Sequence, residues 1–180
     1  MNKFVEILIR TATNELNCRE EPKGSNRSLC IDNYNETVLK KKANLAWCAT
    51  FVCYIFEKTF QKFGLKNSFI KTASTTDIYN WGKKNNLLDK VPAVGSVHYS
   101  TREGGGHVGL VVEVNNSNEF TTIDGNSDDS VRVVKRKLTD KDYKFIHTEK
   151  LFNIEQIAKD NILLPVLIIA SGLALWYLKK

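Results

Sequence analysis

Close cysteine pairs are missing from this sequence, although it contains four cysteines: Cys18, Cys30, Cys48 and Cys53. Zinc sites commonly use C-x2-C pairs, so the spacing excludes that motif, and we expect neither a metal nor another cofactor. Cys18 and Cys30 would be able to close a loop in an oxidising compartment, but the sequence leaves this open. Cys53 lies about 140° around a helix from Cys48 and is expected to be a small buried residue.

Internal repeats, low-complexity tracts and a basic cluster with interleaved aromatic residues are also absent. The last absence argues against nucleic-acid binding. Charged residues of both signs are frequent and 42% of the residues are apolar, which indicates one folded domain, expected at residues 1–150, rather than a disordered chain. The net charge of +6 favours anionic partners such as cell-wall polymers or lipid head groups, but it equally suits a lysine-rich surface without a specific partner.

The N-terminal segment has no stretch that resembles an export signal. Glu6 and Arg10 interrupt its apolar residues, so residues 4–16 predict a first amphipathic helix instead. Residues 17–35 are polar and include proline and glycine, which predicts a loop with at most a brief helix.

The C-terminal segment is different, because residues 161–178 contain no charged side chain. Trp176 and Tyr177 come near its end, and two lysines follow it. At about 1.5 Å per residue this stretch just crosses the hydrocarbon core of a bilayer, so it predicts one C-terminal transmembrane helix, with a juxtamembrane linker at residues 151–160. The alternative is a buried helix of the domain, which would have to be apolar on every side.

Residues 46–52, Ala-Trp-Cys-Ala-Thr-Phe-Val, place Cys48 in the first turns of a predicted helix. Asn44 is its expected N-cap and Gly64 its expected stop. The helix would bury one face, made of residues spaced 4, 4, 4 and 3 apart: Cys48, Val52, Phe56, Phe60 and Phe63. The dipole at a helix N-terminus lowers the pKa of a thiol there, and the resulting thiolate is a nucleophile.

Residues 106–109, Gly-His-Val-Gly, place His107 at the start of a predicted strand. An imidazole beside a thiol can take its proton, so His107 is a candidate general base. Gly109 would let a helix approach the strand closely. The other two histidines, His98 and His147, are expected to have no catalytic part.

A third group must orient such an imidazole, and the sequence Asp124-Gly125-Asn126 follows the next predicted strand. Asp124 and Asn126 are both candidates, although an Asp-Gly-Asn sequence is usually only a turn. A cysteine, a histidine and then an acid or amide, in this order, indicate a cysteine hydrolase more strongly than any of the three alone.

Helical patterns come first in the chain and strand patterns follow, which is typical of an α+β fold with an antiparallel sheet. A weaker helix is predicted at residues 73–86. Five strands are predicted after it, at residues 95–100, 107–115, 119–124, 130–136 and 143–148.

Three segments carry a resemblance to a known family: Trp47–Val52, Gly104–Val111 and Asp124–Asn126. They resemble the CHAP domains, the cysteine, histidine-dependent amidohydrolases/peptidases of the NlpC-type papain-like superfamily, which are common in phage lysins. Residues 91–99 look like the strand that precedes the histidine in this family. Ser96 stands where the family usually has Asp, a difference that bears on a turn rather than on the chemistry.

The resemblance implies a papain-like CHAP fold, with N-terminal helices packed on an antiparallel sheet of about five strands. It implies Cys48 as the nucleophile, His107 as the general base, and Asp124 or Asn126 as the orienting group. The implied partner is bacterial peptidoglycan, cut in its stem peptides or cross-bridges by an amidase or endopeptidase.

Together with the predicted anchor, the resemblance implies a membrane-anchored lytic enzyme. It would belong to the virion membrane of a phage, or to the cytoplasmic membrane of a bacterium. Two other interpretations stay open: a catalytically inactive, membrane-anchored structural or binding protein that retains the fold, and a cysteine acyltransferase or host-protein protease on the same scaffold.

Overall fold

The computed structural model describes residues 2–102 and 105–150, and in this part of the chain four α-helices precede six strands. The helices are α1 (Lys3–Thr13), α2 (Leu29–Leu39), α3 (Cys48–Lys62) and α4 (Thr75–Lys84). The strands are β1 (Leu88–Asp89), β2 (Val97–Arg102), β3 (Gly105–Val114), β4 (Glu119–Ser127), β5 (Ser130–Lys137) and β6 (Lys144–Ile146). This order confirms the predicted α+β class.

The strands form one antiparallel sheet in the order β1-β6-β2-β3-β4-β5. Strands β2 to β5 are neighbours in chain order, as hairpin connections require. The last strand, β6, instead lies between β1 and β2 at the far side of the sheet. The two-residue strand β1 was too short to show a pattern, so the sheet has six strands where about five were predicted.

The helices depart from the sequence prediction at two places. Helix α2 begins at Leu29, inside the segment that was predicted to be a loop. Helix α3 begins at Cys48 with Trp47 as its N-cap, so the predicted N-cap at Asn44 is wrong. The helix does stop before Gly64, whose φ of +65° is adopted by glycine without steric strain.

Helix α3 is buried on nearly every side rather than along one stripe, with a buried residue at every position from Cys48 to Phe56. It contacts α1 and α2 and also packs against strands β3 and β4. Phe4 of α1 lies edge-on to Phe60 of α3, with ring centroids 5.0 Å apart. A central helix of this kind needs apolar residues all round, and a single-face pattern therefore underestimated its burial.

The central strands of the sheet are buried on both faces, whereas the edge strand β5 is largely exposed. On one face, Gly82 of α4 packs so closely on Ile146 that a Cβ at this glycine would come within 2.9 Å of the isoleucine side chain. On the other face, Phe145 pairs with His98 and forms a cluster with Phe120 and Tyr143. A strand with two buried faces can carry polar residues only where they have partners.

The loop before α2 is closed by a disulfide between Cys18 and Cys30, which the sequence had left open. Inside it, the carboxylate of Glu20 accepts a hydrogen bond from Trp47 Nε1 at 2.9 Å. Glu20 also donates its backbone N–H to the carbonyl of Asp129, in the turn between β4 and β5. The loop therefore bonds both to the residue before α3 and to the edge of the sheet.

No helix among the described residues is long and apolar enough to cross a membrane. The predicted transmembrane helix at residues 161–178 and the linker at residues 151–160 lie outside the described residues. Both stay predictions, as do the domain boundaries that depend on them.

Replacing Cys18 and Cys30 together with serine should lower the free energy of unfolding by about 3 kcal/mol, because the bridge removes entropy from the unfolded chain. Urea denaturation followed by circular dichroism measures this loss. A reductant should destabilise the natural chain by the same amount and leave the double variant unchanged. Equal midpoints for the variant and the natural chain would contradict the prediction.

Candidate functional site

His107 and Asp124 form a buried hydrogen bond between neighbouring strands β3 and β4. His107 Nε2 lies 2.8 Å from Asp124 Oδ2, and the two side chains are 2% and 0% exposed. Because an ionised carboxylate only accepts hydrogen bonds, Nε2 carries the proton and donates it. In the neutral ring, Nδ1 then carries the lone pair that is able to take a further proton.

Asp124, rather than Asn126, is hydrogen-bonded to His107. The pairing of β4 with β5 shifts register between Asp124 and Ser127, and Asn126 lies in this irregularity with a φ of +56°. Within residues 2–102 and 105–150, the Asn126 side chain makes no hydrogen bond to His107. Of the two candidates for the third position, the structure thus brings Asp124 to the histidine.

His98 is a third member of this cluster, although the sequence suggested no part for it. Its Nε2 lies 3.3 Å from Asp124 Oδ1, and the side chain is fully buried. His98 of β2 pairs with Gly109 of β3, and a Cβ on Gly109 would collide with the Asp124 carboxylate and come within 2.8 Å of His98 Nε2. Gly109 therefore makes room for these two side chains, and not for a helix as expected.

Arg136 of β5 is the fourth member. Its Nη2 donates a hydrogen bond to Asp124 Oδ2, while its Nε donates to Thr122 Oγ1 at 3.1 Å. Its Nη1 lies 3.5 Å from the hydroxyl of Tyr143. In the sequence this arginine stands among lysines on an edge strand, which gives no sign that it points inward.

Opposing effects set the protonation of the cluster. Burial would raise the pKa of Asp124, but His98, His107 and Arg136 together hold it well below its usual range. Burial lowers the pKa of His98 to about 4, with Asp124 opposing and Arg136 adding to the shift. At neutral pH His98 is therefore uncharged and contributes a hydrogen bond, whereas Arg136 supplies the permanent positive charge.

Cys48 is the first residue of α3 and is buried, with 6% of its surface exposed. One turn later, Phe51 covers Gly125, the residue next to Asp124, so closely that a Cβ at Gly125 would lie 2.5 Å from the phenylalanine Cβ. The beginning of the helix thus lies beside the end of β4 that carries Asp124. A thiol at this place sits where the helix dipole favours the thiolate.

Cys53, the second free thiol, has no comparable surroundings. Burial raises its pKa to about 12, and its Sγ donates to the carbonyl of Thr72 at 3.4 Å. It is a protonated, buried residue, as the sequence predicted. His147 is also engaged structurally, since its Nε2 lies 2.8 Å from the carbonyl oxygen of Val91.

His98, His107 and Asp124 are also a group that could in principle hold a metal ion, since their ligand atoms lie within 4.8 Å of one another. The guanidinium of Arg136, however, already occupies Asp124 Oδ2. A divalent ion would bring a second cation to the same carboxylate, which electrostatic repulsion opposes. The donor set fits a hydrogen-bonded charge network better than a metal centre.

Residues 40–126 match the profile of the CHAP domain family. Over this range, slightly less than half of its length, the chain is similar to the CHAP domains. Among solved structures, it is similar to an N-acetylmuramoyl-L-alanine amidase from Staphylococcus aureus, with 13% identity and a TM-score of 0.43. That similarity covers 57% of this chain and 30% of the amidase chain, so the matched part spans less than a third of that protein. No curated protein matches the sequence.

Ser96 shows how the domain accommodates a difference from the CHAP family. The Ser96 hydroxyl donates to the carbonyl of Ala93 at 2.6 Å and lies 3.3 Å from the backbone nitrogen of the same residue. A serine side chain thereby closes the turn before β2, where the family usually has an aspartate. The expectation that this position is structural agrees with these contacts.

Lowering the pH from about 6.5 to about 4 should reduce the free energy of unfolding by up to about 3 kcal/mol through His98 alone. The sign follows because the unfolded chain binds a proton at His98 in this range, while the buried ring stays neutral. Denaturant titrations at several pH values measure the slope. In His98→Gln, which keeps an N–H donor but does not titrate, the slope should become flatter; an unchanged slope would contradict the assignment.

Proposed function

We propose that this chain is a peptidoglycan hydrolase that uses Cys48 as its nucleophile and His107 as its general base. The observation that carries the proposal is the buried hydrogen bond of His107 with Asp124, inside a CHAP-like domain whose α3 begins at Cys48. The family match supports peptidoglycan as the substrate class, and the hydrogen bond supports the role of the histidine.

The proposed reaction is acyl transfer. His107 Nδ1 takes the proton of the Cys48 thiol, and the thiolate attacks the carbonyl carbon of a peptide or amide bond. Backbone N–H groups in the first turn of α3 would stabilise the resulting oxyanion. His107 then gives its proton to the leaving amine as the C–N bond breaks, which leaves a thioester on Cys48. Water, deprotonated by His107, hydrolyses this thioester and restores the thiol.

Asp124 would hold the imidazole in the tautomer that this reaction needs. Its hydrogen bond from Nε2 leaves Nδ1 as the basic nitrogen and stabilises the imidazolium that forms after proton transfer. Asn126 is the other candidate for this role. It would influence the position of Asp124 only indirectly, through the backbone of the turn that follows Asp124.

The scissile bond would be either the amide between N-acetylmuramic acid and L-alanine or a peptide bond of the stem or cross-bridge. We further propose that the enzyme is anchored to a membrane by residues 161–178. That membrane would be the envelope of a phage virion, where local wall opening serves entry, or the cytoplasmic membrane of a bacterium. The support for the anchor is the uncharged stretch itself.

Replacing Cys48 with alanine should lower the release of peptidoglycan fragments at least about a thousandfold, because no other group forms the acyl intermediate. The measurement is mass spectrometry of soluble fragments from purified walls of several chemotypes, in which new amino termini identify the bond. Cys53→Ala is the matched control and should retain full activity. If natural chain and Cys48→Ala release nothing from any wall, the chain is an inactive binding or structural protein.

Asp124→Asn should lower kcat by about a hundredfold or more, because an amide is able to hold the wrong imidazole tautomer. Asn126→Ala is the comparison, and it should lower kcat far less, since its side chain is not bonded to His107. Both rates come from the same fragment assay, with thermal unfolding as a check of folding. A larger loss in Asn126→Ala than in Asp124→Asn would reverse the assignment of the third residue.

A further inference from the structure

We propose that Arg136 and His98 are positioning residues that keep the Asp124 carboxylate ionised and fix both of its oxygens. The inference rests on the proposed function, since it concerns the group that orients His107. Neither residue belongs to a recognisable sequence motif. Each is brought next to Asp124 by the pairing of strands β2 to β5.

Asp124 needs a compensating cation because it is fully buried. An uncompensated carboxylate in such surroundings takes up a proton rather than remain charged. The guanidinium of Arg136, with a side chain only 10% exposed, is the permanent positive charge in contact with it. A protonated Asp124 would be able to donate to the ring and would no longer select the tautomer with its proton on Nε2.

Arg136 is itself held in one orientation. Three of its nitrogens have separate partners on the same side of the sheet, namely Asp124, Thr122 and the hydroxyl of Tyr143. A planar guanidinium is able to donate to three partners arranged in this way, whereas a lysine ammonium supplies the charge without the geometry. The charge of Arg136, which keeps Asp124 ionised, and the shape of its side chain, which fixes its orientation, can therefore be tested separately.

His98 fixes the other oxygen of the carboxylate. Since the ring is neutral at neutral pH and Asp124 is an acceptor, His98 donates its Nε2 proton to Oδ1. Oδ2 is then left to accept from both His107 and Arg136. A donor on each oxygen restrains rotation of the carboxylate about its last side-chain bond, so the acceptor for His107 stays in place.

The test measures the reactivity of Cys48 rather than wall cleavage. In a Cys53→Ala background Cys48 is the one cysteine of the remaining three that lies outside the disulfide, because Cys18 and Cys30 are bridged. The rate of alkylation by iodoacetamide is measured from pH 4 to pH 10 on the folded, full-length protein. A thiolate stabilised by His107 and Asp124 alkylates below the pH range of an ordinary thiol.

Arg136→Met should move the acid limb of this profile to higher pH, by up to about one pH unit, because loss of the adjacent cation lets Asp124 take up a proton, and an uncharged Asp124 no longer stabilises the imidazolium beside the Cys48 thiolate. Arg136→Lys, which keeps the charge, should retain the position of the natural limb while kcat for wall cleavage falls. If Arg136→Met folds and the acid limb of its alkylation profile lies at the same pH as in the natural protein, the proposed role of the charge is overturned. A merely structural role would lower the melting temperature of both variants and shift neither limb.

His98→Leu and His98→Gln form a second pair and decide the matter if Arg136→Met fails to fold. The leucine variant should move the limb upward and lower kcat several-fold, and glutamine should largely restore both, because it again offers a donor to Oδ1. Identical profiles for leucine, glutamine and histidine would overturn the inference. If the natural protein itself alkylates as an ordinary thiol does, with a pKa near 8.5, the proposed catalytic mechanism fails instead.

Discussion

The buried carboxylate of Asp124 is the group on which the rest of the sheet depends. Removing a charge from water costs several kcal/mol unless partners compensate it. Here the partners are His98 from β2, His107 from β3 and Arg136 from β5, so one side chain joins four adjacent strands. Gly109 has to be a glycine because the carboxylate occupies the space of its missing side chain. The cluster therefore exists only when the four strands pair in one register.

The two halves of the site come from different parts of the chain and need a connection. Cys48 begins the central helix, whereas His107 and Asp124 belong to the sheet. The disulfide-closed loop contacts both halves, because Glu20 bonds to Trp47, next to the thiol, and to Asp129, beyond Asp124. The buried hydrogen bond to the Trp47 indole is a directional contact, unlike the apolar packing of α3. It ties the helix start to the edge of the sheet.

Local patterns were sufficient to predict much of the fold, because a helix or strand is largely a property of its own residues. All five predicted strands match observed ones to within a few residues, and helices α1 and α4 are within a few residues of their predicted bounds. The place of β6 beside β2 and the roles of His98 and Arg136 could not be found in this way. Each of them depends on which residue faces which across a strand pair, and a single sequence does not contain that register.

The choice between Asp124 and Asn126 shows the same limit on a smaller scale. Simple alternation puts both side chains on one face of β4, so the sequence offers two equal candidates. The register shift after Asp124 breaks the alternation, and Asn126 adopts a left-handed conformation that asparagine tolerates better than most residues. The irregularity ends the row of inward-facing residues at Asp124. The residue that meets His107 is thus decided by a distortion of the backbone rather than by side-chain chemistry, since a carboxylate and an amide would both accept its proton.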